Sequence, residues 1–313
     1  ADTFRHLSIR EGLSSRQVYQ IHQDSSGFIW AYTHVGVDRY DGNEIKHYKL
    51  DQTVDSKDHI LSSTTMACDR HGIIWIGLKN GKIYAYNKQT DSFQLKIDLG
   101  KQFPSPVLNS FLFDQDNRLW LCMSTGLYYW DIASNKVALA GLQNKYVNCI
   151  VQSTDNVFYA GTDAHVYLIK RDRRSSLFFK NAVTLPIDVR VESLFIFRHK
   201  LYIGSFSNGV FIQDILTGSV GNLNHFLPNL PVRGFASTKS NTVLIGVDGA
   251  GVFRINADNA KFMNHYVADE DDEGSLGGNT VSDVCVDQHD WVWVSTSSNG
   301  VSFLDPKRSD IKW

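Results

Sequence analysis

No apolar run in this 313-residue chain approaches the roughly 18–20 residues that a helix needs to cross a bilayer. No basic start followed by an apolar stretch marks a signal peptide, so the piece is expected to be soluble as given. An excess of one charge is also lacking: 31 Lys and Arg stand against 33 Asp and Glu, a formal net charge of −2. That balance gives no electrostatic drive toward nucleic acid or an anionic membrane surface. Cysteine is scarce, with only Cys68, Cys122, Cys149 and Cys285 and no Cys-x-x-Cys pair. Each lies in an apolar strand-like run and reads as a buried free thiol acting as a small hydrophobe, which leaves the redox compartment open. The helical i, i+3, i+4 pattern is not sustained anywhere. Catalytic signatures are missing too: there is no Gly-x-Ser-x-Gly elbow, phosphate loop, His-Glu-x-x-His or paired-cysteine zinc pattern. No catalytic residue, metal or cofactor is therefore expected.

What is present is a repeat. Asp24-Ser-Ser-Gly27-Phe-Ile-Trp30, Asp69-Arg-His-Gly72-Ile-Ile-Trp75, Asp114-Gln-Asp-Asn117-Arg-Leu-Trp120 and Asp287-Gln-His-Asp290-Trp-Val-Trp293 align directly. Weaker copies end at Phe158, Tyr202 and Leu244, so anchors fall at 30, 75, 120, 158, 202, 244 and 293. Spacings of 38 to 49 residues between successive anchors match four-stranded propeller blades. An apolar run precedes each strong copy, and Asp-x-x-Gly reads as a tight turn in which Asn117 and Asp290 replace glycine. A further glycine follows at Gly36, Gly81, Gly126, Gly209, Gly251 and Gly300, then third and fourth apolar runs such as Val37–Tyr40 and Ile45–Tyr48. The fourth copy carries Ala164-His165 instead. Four strands per unit exclude helical solenoids, and a parallel β-helix needs a shorter period. The expected fold is all-β: one seven-bladed β-propeller over residues 1–313, with the aromatic anchors filling the gaps between blades.

Such a ring leaves open edges unless its last blade is completed. Phe4-Arg-His-Leu7 resembles the fourth-strand segments Ile45-Lys-His-Tyr48 and Phe262-Met-Asn-His-Tyr266, and is expected to supply the outer strand of blade seven. Ile311-Lys-Trp313 is the competing candidate, shorter at three residues. The abrupt stop after Asp305-Pro306 reads as a fragment of a longer protein.

The segments Phe4-Arg-His-Leu-Ser, Gly12-Leu-Ser-Ser, Val18-Tyr-Gln-Ile-His-Gln-Asp-Ser-Ser-Gly-Phe-Ile-Trp30 and Gly36-Val-Asp-Arg-Tyr-Asp-Gly42 resemble the opening of the two-component regulator propeller family. Leu276-Gly-Gly-Asn-Thr-Val281 repeats the lead-in at the last blade. The match is strong in copies one, two, three and seven and weak in copies four to six. It departs at Ala31-Tyr32, where the family has Ile-Gly, and in copy four. The resemblance implies the periplasmic sensor part of a hybrid histidine kinase and response regulator at the inner membrane. It also implies carbohydrate-derived ligands and further domains of the same protein: a second propeller, a β-sandwich and a membrane helix. A homodimer is compatible with that organisation.

Ligands of propellers commonly bind where loops enter the innermost strand and where loops join strands two and three. Those loops carry Arg16, His34, Lys79, Asp163, Arg190, Arg233 and Asp248, a mixed-charge set suited to a sugar acid or polar oligosaccharide. The acidic run Asp269–Glu273 lacks the alternating spacing of a calcium loop, and Lys170-Arg-Asp-Arg-Arg174 reads as a solvated turn. Three functions compete: a sensor module, an interaction scaffold without a small-molecule site, and a glycan lyase or hydrolase. The last needs a carboxylate pair or a His–Tyr pair at the channel.

Overall fold

Short β-branched and aromatic runs separated by turn residues can satisfy their backbone groups only by pairing strands. The computed structural model describes residues 2–50, 65–131, 134–154, 156–171 and 188–306, and the backbone of 177–181. Among them are seven antiparallel four-stranded sheets, and the fold is a seven-bladed β-propeller. The helices among them are single 3-10 turns at Ile9–Glu11 and Leu99–Lys101. Blade one runs from inner to outer strand through Val18–Gln23, Ile29–Thr33, Gly36–Tyr40 and Ile45–Tyr48. The inner strands of blades two to seven are Thr65–Cys68, Leu108–Phe113, Val147–Gln152, Val191–Phe197, Val232–Ser237 and Val281–Val286. All seven anchors sit on second strands, as the spacing predicts, including the weak ones at Phe158, Tyr202 and Leu244.

The chain divides into two compact units. The first comprises Ala1–Ser62, Tyr86–Gln94 and Arg233–Trp313, and so holds blades one, six and seven with a segment of blade two. The second comprises Ser63–Ala85 and Leu95–Val232, and holds the rest of blade two with blades three to five.

Turn and anchor form one device. Asp24 Oδ1 accepts from the backbone N–H groups of Ser26 (2.9 Å) and Phe28 (3.0 Å), while its Oδ2 accepts from Trp30 Nε1 at 2.7 Å. The same indole-to-carboxylate bond recurs at Trp75–Asp69 (2.8 Å), Trp120–Asp114 (2.8 Å) and Trp293–Asp287 (2.9 Å). Asn117 and Asp290 adopt φ of 59° and 65°, the left-handed conformation that Gly27 and Gly72 take in the other two copies. In the first unit Trp30 packs on Tyr86 and Phe93 of blade two, with ring centroids 5.0 and 5.6 Å away, and Trp293 packs on Tyr40 of blade one. In the second, Trp75 meets Phe113 and Trp120 meets Phe158, each at 5.0 Å. The anchors thus fill the space between blades. All four cysteines are free; Cys122 is fully buried, while Cys68, Cys149 and Cys285 are half-buried, with Cys149 and Cys285 packed against apolar clusters. Burial pushes the Cys122 thiol up to about 12.

Blade seven is completed by the N-terminal strand. Phe4–Leu7 pairs antiparallel with Val301–Leu304, with Phe4 opposite Leu304 and Leu7 opposite Val301. The competing Ile311–Trp313 lies outside the described residues. Gly300 makes the close approach possible: its φ is +70°, and a Cβ there would stand 2.6 Å from the carbonyl oxygen of Leu7. In blade four a hydroxyl holds the turn that lacks glycine. Thr162 Oγ1 donates to the His165 carbonyl at 3.1 Å, as Thr33 does to Gly36 and Thr296 to Gly300 in the first unit.

Candidate functional site

Antiparallel register places the entry to each inner strand beside the connection between strands two and three. Val18 faces Thr33, Val147 faces Thr162 and Val191 faces Ser205. In five blades the register then slips by one residue, a β-bulge that re-aims the side chains of Tyr19, Asn109, Asn148, Glu192 and Ser282. Several bulge residues tie neighbouring inner strands together. In the second unit Asn109 Nδ2 donates to the Val147 carbonyl (2.8 Å) and Asn148 Nδ2 to that of Val191 (2.9 Å). In the first unit Ser282 Oγ donates to the Val18 carbonyl at 2.5 Å.

The richest cluster lies in the second unit, at one end of blades four and five. Arg190 Nε is 3.0 Å from Glu192 Oε1 and 3.8 Å from Asp163 Oδ1, and its guanidinium lies over the Phe206 ring at 4.4 Å. Asn148 Nδ2 donates to Asp163 Oδ1 at 2.9 Å, and His165 Nδ1 stands 3.6 Å from Asp188 Oδ1. The sequence rule thus brings together Asp163 and Arg190, while Asn148, Glu192 and Phe206 escaped it. A common position in the repeat, immediately after the first apolar residue of an inner strand, identifies Asn148 and Glu192. Lys79 of the same unit contributes its carbonyl to Leu108 N–H at 2.9 Å, and its side chain pairs with no carboxylate among the described residues.

In the first unit Arg233 Nη2 is 3.3 Å from Asp248 Oδ2. His34 Nδ1 and the Tyr19 hydroxyl are 2.9 Å apart, and desolvation holds the Tyr19 phenol above its ordinary range. The Arg16 carbonyl accepts from Gly300 N–H at 2.8 Å. Asp283, on the inner strand of blade seven, accepts from Ile21 N–H at 3.2 Å and Val284 N–H at 2.9 Å. Loss of solvent around its carboxyl outweighs those two bonds and raises its pKa to about 7. The folded state therefore favours the protonated acid. Its contribution to stability is complete below the unfolded carboxylate range near 4 and is lost as pH rises through about 7. Because the residue keeps partial solvent contact, the expected loss is about 1–3 kcal/mol. Urea denaturation of wild type and Asp283→Asn at pH 4.5 and 7.5 should show the variant gaining on wild type at the higher pH.

A Ser, a His and an Asp also meet in blade one. Ser14 Oγ donates to Asp38 Oδ1 at 2.5 Å, and His47 Nδ1 is 2.6 Å from Ser14 Oγ and 2.7 Å from Asp38 Oδ1. One imidazole nitrogen faces both oxygens, so the ring does not stand between hydroxyl and carboxylate as a relay requires. With Ser14 N–H donating to Asp38 Oδ2 at 2.8 Å, this is a clamp between the incoming loop and the blade. In the acidic run, Asp269 and Asp272 cap their own loop through Asp271 N–H and Gly274 N–H. Among the described residues no three or more His, Cys, Asp or Glu side chains gather as a metal site. Arg171 ends a strand 3.9 Å from Asp116, and residues 172–174 of the basic stretch lie outside the described residues. Among the described residues no helix is long and apolar enough to cross a membrane.

No protein-family model and no curated protein matches the chain. Solved structures do. The extracellular domain of the hybrid two component system BT4673 from B. thetaiotaomicron is 23% identical, with a TM-score of 0.78 over 97% of this chain and 40% of that one. That of BT3049 from the same organism is 21% identical, with a TM-score of 0.77 over 97% of this chain and 42% of that one. Virginiamycin B lyase from Staphylococcus aureus is 11% identical, with a TM-score of 0.73 over 93% and 95% of the two chains. The chain spans about two fifths of the length of the two extracellular domains. At these identities the likeness establishes a shared fold, the β-propeller, with the extracellular domains and the lyase alike.

Proposed function

We propose that this chain is the sensor propeller of a bacterial two-component signalling protein, acting outside the cytoplasm and responding to a carbohydrate-derived ligand. Residues 1–313 would form one propeller of a longer protein whose further domains carry the signal. The observation that supports the signalling part is the fold match across nearly the whole chain to extracellular domains of such systems, reinforced by the repeat motifs. For the ligand, the cluster of Arg190, Glu192, Asp163 and Asn148 offers fixed donors and acceptors beside the exposed Phe206 ring. Arg190 and Arg233 are each already faced by carboxylates, which favours a neutral oligosaccharide over a sugar acid. Calorimetry against neutral and acidic oligosaccharides tests this reading. Saturable binding of a neutral sugar, weakened about tenfold by Arg190→Ala, is expected from the loss of charge-assisted hydrogen bonds. Absence of binding by every sugar to well-folded protein would leave the interaction scaffold as the better reading.

A lyase reading has one specific observation behind it, the Tyr19–His34 pair. A neutral phenol and an imidazole at hydrogen-bonding distance can pass a proton. Formation of an unsaturated product from a uronate-containing polysaccharide, abolished by His34→Ala, would favour it over the sensor.

A further inference from the structure

The tetrapeptide Ser-Asn-Gly-Val occurs twice, as Ser207–Val210 and Ser298–Val301, each time leading into the third strand of a blade. The two turns are near copies. In blade five Ser205 N–H and Oγ both donate to the Gly209 carbonyl, at 3.0 and 2.7 Å, and Asn208 N–H donates to Ser205 Oγ at 2.7 Å. In blade seven Thr296 N–H and Oγ1 donate to the Gly300 carbonyl at 2.9 and 3.0 Å, and Asn299 N–H donates to Thr296 Oγ1 at 2.9 Å. Gly209 and Gly300 share the left-handed conformation, with φ of 73° and 70°.

They differ in how the asparagine and the next amide are held. Gly300 N–H donates to the Arg16 carbonyl at 2.8 Å, and Asn299 Oδ1 accepts from Ser298 Oγ at 2.7 Å and lies against the backbone of Gly278. Gly209 N–H donates to no acceptor among the described residues. Asn224 Oδ1 lies where a Cβ of Gly209 would go, yet accepts nothing from that N–H. Asn208 Oδ1 accepts only from Ser207 Oγ among the described residues, at 3.4 Å. The remaining Asn-Gly pair, Asn80-Gly81 of blade two, is tied as well: Gly81 N–H donates to the Leu78 carbonyl at 2.9 Å, and Asn80 Oδ1 accepts from Lys82 N–H at 3.2 Å.

An asparagine before glycine is open to attack by its own chain, because no Cβ shields the following amide nitrogen. That nitrogen, once its proton passes to hydroxide, bonds to the asparagine carboxamide carbon. Ammonia leaves and a five-membered succinimide remains. Water then opens either imide C–N bond, giving aspartate or isoaspartate, so that carboxamide and water become carboxylic acid and ammonia. An N–H engaged in a hydrogen bond must give it up first, which slows the step about two- to tenfold. We propose that Asn208 is a site of spontaneous deamidation, the first of the Asn-Gly pairs to convert in the folded protein. Conversion places a carboxylate, or a main chain longer by one methylene, in the turn that carries Phe206, whose ring the Arg190 guanidinium covers at 4.4 Å. The assignment rests on turn chemistry and is independent of the sugar reading.

Peptide mapping by mass spectrometry after incubation in mildly alkaline buffer tests it, with heavy-oxygen water marking the conversions that occur during incubation. In the folded protein Asn208 should convert at least about threefold faster than Asn299. In denaturant the two identical tetrapeptides should convert at matching rates. Isoaspartate should accompany aspartate at position 208, and in that form the Ser205 amide, which bonds the Gly209 carbonyl, should lose protection from hydrogen exchange. Asn208→Gln should abolish the early product and leave conversion at Asn299 as in wild type. Solvent access ranks the pair the other way, Asn299 being exposed and Asn208 half-buried. Asn299 leading in the folded protein, equal rates there, or an Asn208 that converts only in denaturant would overturn the proposal.

Discussion

Replacing Trp120 by alanine will lower the unfolding free energy by about 3–5 kcal/mol, the cost of a large cavity where an aromatic ring was fully enclosed. Trp120 has 0% exposure and packs on Phe158 of the next blade, among Leu127, Val147 and Ile169. Asp114→Ala will cost less, about 1–3 kcal/mol, because it strands the indole N–H and the two turn N–H groups of Asp116 and Arg118. The two effects should be coupled. Trp120→Phe removes the indole donor, so in the Asp114→Ala background it should cost less than in wild type. Denaturant midpoints of the four proteins measure this. Strict additivity would show that the carboxylate caps the turn without holding the ring.

The second large effect concerns the strand that completes blade seven. Phe4 and Leu7 are 4% and 7% exposed, each seated in a different apolar cluster of the first unit. Their joint replacement by alanine should cost roughly 5–10 kcal/mol, comparable to the whole stability of a typical domain. It also leaves Val301–Leu304 as an unpaired edge, which invites association of chains. Hydrogen exchange should accelerate first at the amides of Val301–Leu304, and size-exclusion chromatography should show oligomers. Unchanged exchange there would mean that the outer strand is dispensable.

Much of this was legible in the sequence because the repeat couples a turn signal to a buried aromatic at fixed distance. Asp24, Asp69, Asp114 and Asp287 each precede their tryptophan by six residues, and that spacing is the length of chain needed to bring the carboxylate back to the indole. Copies four to six use other means. Arg198 and His199 make a two-residue turn with φ of 48° and 54°, and Thr238 bonds Thr242 through their hydroxyls at 2.6 Å. Neither leaves a composition signal as strong as Asp-x-x-Gly, but the anchors Phe158, Tyr202 and Leu244 remain visible through the repeat spacing. The candidate site was legible only in part. Topology alone places Arg190 near Asp163 and Arg233 near Asp248, since each pair joins two loops at one end of the chain's blades. Glu192 and Asn148 escaped because bulges turn them out of the strand alternation on which side-chain direction is normally read.

The pairing of Phe4 with Leu304 carries a mechanical consequence. The two residues lie opposite each other at the same end of an antiparallel ladder, so a pull applied to the chain before Phe4 and after Leu304 acts on that end alone. The hydrogen bonds would then yield one after another, like a zipper, instead of resisting together as they would under sliding load. Tension along the chain would open blade seven from the Phe4–Leu304 end and free Leu7 and Val301 last.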